Sequence, residues 1–226
     1  MTDESEVPGI DAELFEWLEA NLYTAVLSDS CDELGHMRQA MGPEIRPTDE
    51  SLVLVGRART SLWVEVDRVL DNPYEGEMRA MDTLRDGDIA VMATGASKQI
   101  ATLGELMSTA CRMRGGRGMV TDGLIRDVRR IRAMRLPIFS AGYKPVDSKG
   151  RGAAVEFDVP VEISGVRIET GDLIVGDVDG VVVVPRKFER EVLELAWNKT
   201  TAENYTRQEL EQGALLREVY AKYGVL

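Results

Sequence analysis

Histidine and cysteine are almost missing from this chain: its 226 residues include one histidine, His36, and two cysteines, Cys31 and Cys111. One histidine cannot build a multi-histidine metal centre, and two cysteines cannot form a four-sulfur zinc site. A Ser-His-Asp or Cys-His nucleophile would have to use His36. There is no GxxxxGK(S/T) phosphate loop, and no GxGxxG fingerprint with a following acidic partner. Long apolar runs are missing too. None approaches the ~18 residues that cross a bilayer, so no membrane association is expected. The opening stretch MTDESEVPGIDAELFEW has neither a basic n-region nor an apolar h-region, so the expected location is cytoplasmic. Positive charge is also scarce. With 27 Lys and Arg against 39 Asp and Glu, the net charge is −12, which argues against nucleic-acid binding. Any bound metal would be held by carboxylates and water, which points to a hard ion such as Mg²⁺ or Mn²⁺.

What is present can fold. Hydrophobic residues make up 44% of the chain and charged residues 29%, enough for a real core and a soluble surface. The text reads as one α/β domain over residues 1–226. A helical N-terminal segment (1–50) precedes an α/β core (51–186) and a C-terminal helical segment (187–226). Asp11 can cap a run carrying Leu14, Phe15, Trp17 and Leu18, and Gly35 ends a second helix. Residues 52–55 and the segment TSLWVEV read as two strands, and residues 75–84 as a helix. From Asp86 the order is strand IAVMAT, helix GELMSTACRMRG, strand GMVTDG, helix VRRIRAMR and strand LPIFSAG. This β-α-β-α-β order predicts parallel strands with right-handed crossovers. Turn residues at short intervals after residue 150 predict further strands, and residues 187–223 a long helical tail.

In an open α/β sheet, ligands bind outside the carboxyl ends of strands, where helix N-termini offer free amides. The amides around Gly104, Glu105, Leu106 and Met107 can therefore hold a carboxylate or phosphate. Asp122, Arg126 and Asp127 fall at the corresponding edge of the next strand. An Asp beside an Arg suits metal-assisted chemistry on an anionic substrate, because the Asp holds a cation and the Arg fork steadies developing negative charge. The plainer readings are that Asp122 is a turn residue, Asp127 a helix cap and Arg126 a surface arginine. His36 reads as a helix-end residue, Cys31 and Cys111 as small core residues. Ser28, Asp29 and Asp32 form a polar stretch on the second helix. Lys144, Asp147, Lys149 and Arg151 flank the loop where the distal part of a substrate could lie.

The stretch GELMSTACRMRGGRGMVTDGLIRDVRRIRAMRLPIFSAGYKP strongly resembles the RraA-like family, which includes divalent-metal class II aldolases for 4-hydroxy-4-methyl-2-oxoglutarate and 4-carboxy-4-hydroxy-2-oxoadipate. The family pattern is an acidic residue, twenty intervening positions, then Arg-Asp; here these are Glu105, Arg126 and Asp127. TAVLSDSCDELG, DGDIAVMATG and ISGVRIETGDLIVGDVDGVVVVP extend the resemblance over most of the chain. It implies a swivelling β/β/α fold, assembled as a homotrimer or dimer of trimers. It also implies Asp127 as direct metal ligand, Glu105 acting through a water, and Glu203 reaching the metal from a neighbouring subunit. Arg126 would contact the oxygen that becomes enolate, and amides near Leu106 and Met107 the substrate carboxylate. The acidic position is commonly Asp in characterised aldolases and is Glu here. The implied activity is cleavage of 4-hydroxy-2-oxo acids to pyruvate with Mg²⁺ or Mn²⁺, with oxaloacetate decarboxylation as a side reaction. Lys98 is the lysine nearest the site for a Schiff-base alternative. A second expectation comes from the family's founding member, which binds and inhibits a ribonuclease: a non-catalytic regulator.

Overall fold

A computed structural model describes residues 7–8 and 11–225. It opens with helices α1 (Asp11–Asn21) and α2 (Thr24–Glu33), then β1 (Arg46–Pro47), β2 (Leu54–Glu65) and α3 (Glu75–Asp82). The central alternation is β3 (Asp88–Ala93), β4 (Ala101–Leu103), α4 (Glu105–Met113), β5 (Gly118–Thr121), β6 (Leu124–Ile125), α5 (Val128–Met134) and β7 (Ile138–Ser140). Then come β8 (Gly152–Phe157), β9 (Val161–Ile163), β10 (Val166–Ile168), β11 (Leu173–Asp177), β12 (Gly180–Val184), α6 (Glu189–Glu211) and α7 (Leu216–Tyr223).

The main sheet runs β1-β7-β5-β3-β2-β11-β12, with β8 also paired to β2. Strands β3, β5 and β7 are mutually parallel, as the alternation predicts, and β2 runs parallel beside β3. Such strands are covered on both faces and so read as continuous apolar runs. In β3, Ile89, Val91 and Ala93 point to one face, where the β9–β10 hairpin lays down Val161, Ile163, Val166 and Ile168. Ala90 and Met92 point to the other face, into a cluster with Met81, Cys111 and Ile131 of α3, α4 and α5. At the β11–β12 end that same helical face is covered by α1, α2 and α6 through Leu18, Leu27, Val192 and Ala196. Hairpin, sheet and helices form the three layers of the β/β/α fold. Each fully buried Val, Ile or Leu contributes roughly 1.5–3 kcal/mol.

Three local expectations are revised. The two segments merge into one strand, β2, from Leu54 to Glu65, with Leu52, Val53 and Val66 outside it: β11 pairs with its first part and β8 with its end, across a register shift at Leu62/Trp63. Asp11 stands in the first turn of α1 and its carboxylate binds the Arg57 guanidinium at 2.6 Å. The C-terminal tail is two helices, broken where Gly213 turns at φ +89°.

Candidate active site

A strand pair that periodicity does not reveal builds the site. β4 and β6 run parallel, Ala101 opposite Leu124 and Leu103 opposite Ile125. The Arg126 amide continues the ladder by donating to the Leu103 carbonyl at 3.0 Å. This pairing sets Gly104 and Glu105, at the start of α4, against Arg126 and Asp127. A third segment joins through Ile125. Its amide donates to the Gly142 carbonyl at 3.0 Å, and the Lys144 amide donates to the Ile125 carbonyl at 2.9 Å, which brings Asp147 and Ser148 alongside.

Between these segments and α3 lies a cleft of about 350 Å³, its walls including Gly104, Leu106, Met107, Arg126, Asp127 and Asp147. Asp127 occupies the helix-cap position of α5 at φ 60°, a left-handed conformation that Asp tolerates better than most residues. Its side chain does not cap that helix. Instead Oδ2 accepts a hydrogen bond from the Glu105 amide at 3.2 Å, at the positive end of α4. Gly104 leaves room for this: a Cβ there would fall 2.5 Å from Asp127 Oδ2. Arg126 spans the cleft floor, with Nε 3.8 Å from Asp127 Oδ2 and Nη2 3.8 Å from Asp147 Oδ1. The first amides of α4 have no partners within the helix, leaving those of Leu106 and Met107 as donors at the cleft.

The far wall holds residues that the sequence did not single out: Tyr74, Glu77 and Ser148. The Tyr74 hydroxyl donates to Asp147 Oδ2 at 2.8 Å. Burial works to raise the Asp147 carboxyl, but Tyr74, the Lys149 amide, Arg126 and Ser148 outweigh it and hold it below the usual carboxylate range. Glu77 goes the other way. Burial lifts it to about 6 and Asp147 adds to the rise, while Ser148 and Arg126 oppose it. Two nearby carboxyls pushed apart in this manner are what divided acid and base roles require. Nothing in EGEMRAMD distinguishes Glu77 from its solvated neighbours, so only the packing of α3 exposes its character.

The remaining candidates fall elsewhere. The Glu105 amide is at the site, but its carboxylate turns along its own helix, accepting from Thr109 Oγ1 at 3.1 Å with Arg130 at 3.7 Å. Glu203, on α6, accepts from the Tyr23 hydroxyl and does not line the cleft of its own chain. Lys98 also lies outside the lining; its carbonyl accepts from Lys144 Nζ at 2.9 Å. Of the loop residues, Asp147 reaches the cleft, while Arg151 donates to the Asp147 carbonyl and Lys149 contributes its amide. Asp29 and Asp32 are exposed on α2. His36 stacks on Phe188 at 3.6 Å between ring centroids, and both cysteines are buried.

Asp122 is structural. It is buried, with Oδ1 accepting from the Thr94 amide at 2.6 Å and the Thr94 hydroxyl at 2.9 Å, and Oδ2 accepting from the Ala96 amide at 2.7 Å. Asp122→Ala strands these buried donors and is expected to cost about 3 kcal/mol or more. In a chain of this size that lowers the melting temperature by roughly 6–12 °C, readable by calorimetry.

Among the described residues no three His, Cys, Asp or Glu side chains gather into a metal cage. A hard ion does not need one. Mg²⁺ commonly takes one or two carboxylates and keeps several waters. Asp127, half exposed and facing the cleft, with Gly104 leaving space beside its Oδ2, fits that requirement.

Comparison with known proteins agrees with this architecture. The family model described as RraA-like: Aldolase/RraA matches residues 24–183. The chain belongs to the RraA-like family. The matched span includes every residue of the cleft and stops short of Glu203. A Halalkalibacterium halodurans protein named "Putative 4-hydroxy-4-methyl-2-oxoglutarate aldolase" is 31% identical over 197 residues, covering 87% of this chain and 89% of its own. An uncharacterised Pseudomonas syringae protein superposes with a TM-score of 0.85 at 27% identity, over 96% of this chain and 97% of its own. Streptomyces coelicolor RraAS2, described as an unusual member of the RNase ES inhibitor RraA protein family, superposes at 0.77 and 28% identity, over 89% and 98%. Among the described residues no helix is long and apolar enough to cross a membrane.

Proposed function

We propose that this protein is a divalent-metal-dependent lyase that cleaves 4-hydroxy-2-oxo acids, such as 4-hydroxy-4-methyl-2-oxoglutarate, to pyruvate. The observation that carries this reading is the convergence of Arg126, Asp127 and the free amides of α4 on one cleft. Asp127 would hold the ion, with water completing its shell and Glu203 supplied from a neighbouring subunit of a homotrimer or dimer of trimers; the Glu105 carboxylate would act through such a water only by turning away from Thr109 and Arg130. When bound, Mg²⁺ or Mn²⁺ supplies Lewis-acid polarisation of the keto group. The chain's own part is positioning and charge. The Leu106 and Met107 amides take the C1 carboxylate, aided by the dipole of α4. Arg126 donates to the C2 oxygen as it gains enolate charge; one such donor is typically worth ~10²–10³ in rate. Asp147 holds the guanidinium from its other side. Decarboxylation of oxaloacetate passes through the same enolate and is expected as a second activity.

The test is pyruvate release from 4-hydroxy-4-methyl-2-oxoglutarate and from oxaloacetate, with Mg²⁺ and then with a chelator. Release that falls to background on metal removal is the expected result. No pyruvate from either compound, with folded and metal-supplied protein, overturns the reading. The Streptomyces neighbour's description favours a second one, binding to a ribonuclease. Protein binding alone gives no reason to place an arginine fork and a carboxylate at unpaired helix amides.

A further inference from the structure

Helix α3 lies closer to β8 than a side chain would permit, since a Cβ on Gly76 would sit 2.2 Å from the Ala154 carbonyl oxygen. That contact fixes the rotation of a short helix and sets the next residue, Glu77, in the cleft wall. Glu77 is only 8% exposed, and its Oε1 has no hydrogen-bond partner among the described residues. Buried carboxylate oxygens are normally satisfied, and one that is not calls for an explanation. A substrate hydroxyl supplies one.

We propose that Glu77 is the proton acceptor for the 4-hydroxyl of the substrate, an inference that rests on the lyase reading of this cleft. With C1 at the Leu106 and Met107 amides and the C2 oxygen at Arg126, the chain of a 2-oxo acid runs on toward the opposite wall. That wall is made by Glu77, Tyr74, Asp147 and Ser148. The hydroxyl proton passes to the Glu77 carboxylate, and the electron pair of the O–H bond becomes the second bond of the new C4 carbonyl. The C3–C4 bond breaks, and its pair becomes the enolate that Arg126 steadies. C3 then takes its proton from solvent water, as the same enolate does in decarboxylation, and Glu77 returns its own proton to solvent, so the cycle needs no further reactant.

Asp147, on the same wall, and Arg126 are the charged groups that act on Glu77. On the elements packed against α3, Glu105 is turned to Arg130, Arg112 to the Met134 carbonyl, Arg114 to Asp82, and Glu156 of β8 is exposed. On its own side, Tyr74 is committed to Asp147 and Arg79 lies over the Phe157 ring. A carboxyl near 6 in this setting is ionised at neutral pH yet basic enough to take a proton.

Decarboxylation separates this role from the rest of the site, because oxaloacetate loses CO₂ without giving up a hydroxyl proton. Glu77→Gln is expected to lower aldol cleavage at least ~10²-fold while leaving metal-dependent oxaloacetate decarboxylation within about threefold of wild type. In the wild type, aldol cleavage should fall off below about pH 6 and decarboxylation should not share that limb. Equal loss of both activities in Glu77→Gln, or no loss of either, overturns the proposal. The wild-type pH comparison decides it even where the variant does not fold: a limb common to both reactions, or absent from both, is contrary to it. A wild type that releases pyruvate from neither compound fails earlier, at the lyase reading itself.

Discussion

Asp127→Asn is expected to lower metal-dependent pyruvate release at least about 10³-fold while hardly moving the melting temperature. Replacing residues one step removed from a metal typically costs ~10–100-fold in affinity or activity, and a direct ligand should cost more. Asparagine keeps the shape and, like aspartate, tolerates the left-handed backbone at φ 60°. Its amide oxygen can still accept from the Glu105 N–H, so that structural hydrogen bond survives. What disappears is the negative charge at the positive end of α4. Isothermal titration with Mg²⁺ or Mn²⁺, run beside the pyruvate assay, checks the cause. Unchanged metal affinity in the variant would remove Asp127 from the ligand role.

Gly104→Ala should damage the same site from behind. The added Cβ would lie 2.5 Å from Asp127 Oδ2 and 3.1 Å from Arg126 Cγ and Nε, so both side chains must move. The backbone at φ −140° suits alanine, so the effect is not conformational strain. Because the displaced atoms belong to half-exposed side chains, stability should change by no more than about 1 kcal/mol. Misplacing reactive groups by about 1 Å is enough to cost ~10²-fold, the loss expected in kcat/KM. Steady-state kinetics beside a thermal melt distinguishes this from unfolding. Near-normal kcat/KM would show that Asp127 and Arg126 need not sit as close to α4 as they do.

The alternation of β3, α4, β5, α5 and β7 was legible because each of these strands and helices is written within its own short window, whereas β4 and β6 were not. Continuous apolar strands meant a sheet covered on both faces, and Gly35 and the DGD turn punctuate where expected. The pattern failed at β2, where the half-buried residues between the two apolar runs hid a continuous strand. It failed again at Gly213, which breaks a helical tail whose flanks both look helical.

At the cleft the division is sharper. By itself the sequence determined which residue types were available: one histidine and two cysteines left carboxylates and arginine for any charged chemistry, and Arg126-Asp127 stood out at a strand end. Only the tertiary structure decided how they are used. The parallel pairing of β4 with β6 sets Asp127 on the Glu105 amide, while the Glu105 carboxylate turns to Thr109. Asp122 and Asp127 look alike as strand-end carboxylates, yet one is consumed by three donors from Thr94 and Ala96 and the other faces open space. Glu77 gave no sign at all, because a carboxylate acquires a raised pKa from what encloses it. Periodicity and turn chemistry act over a few residues and can be read along the chain; pairing register, desolvation and vacant space are properties of segments distant in sequence, and arise only once these have packed together.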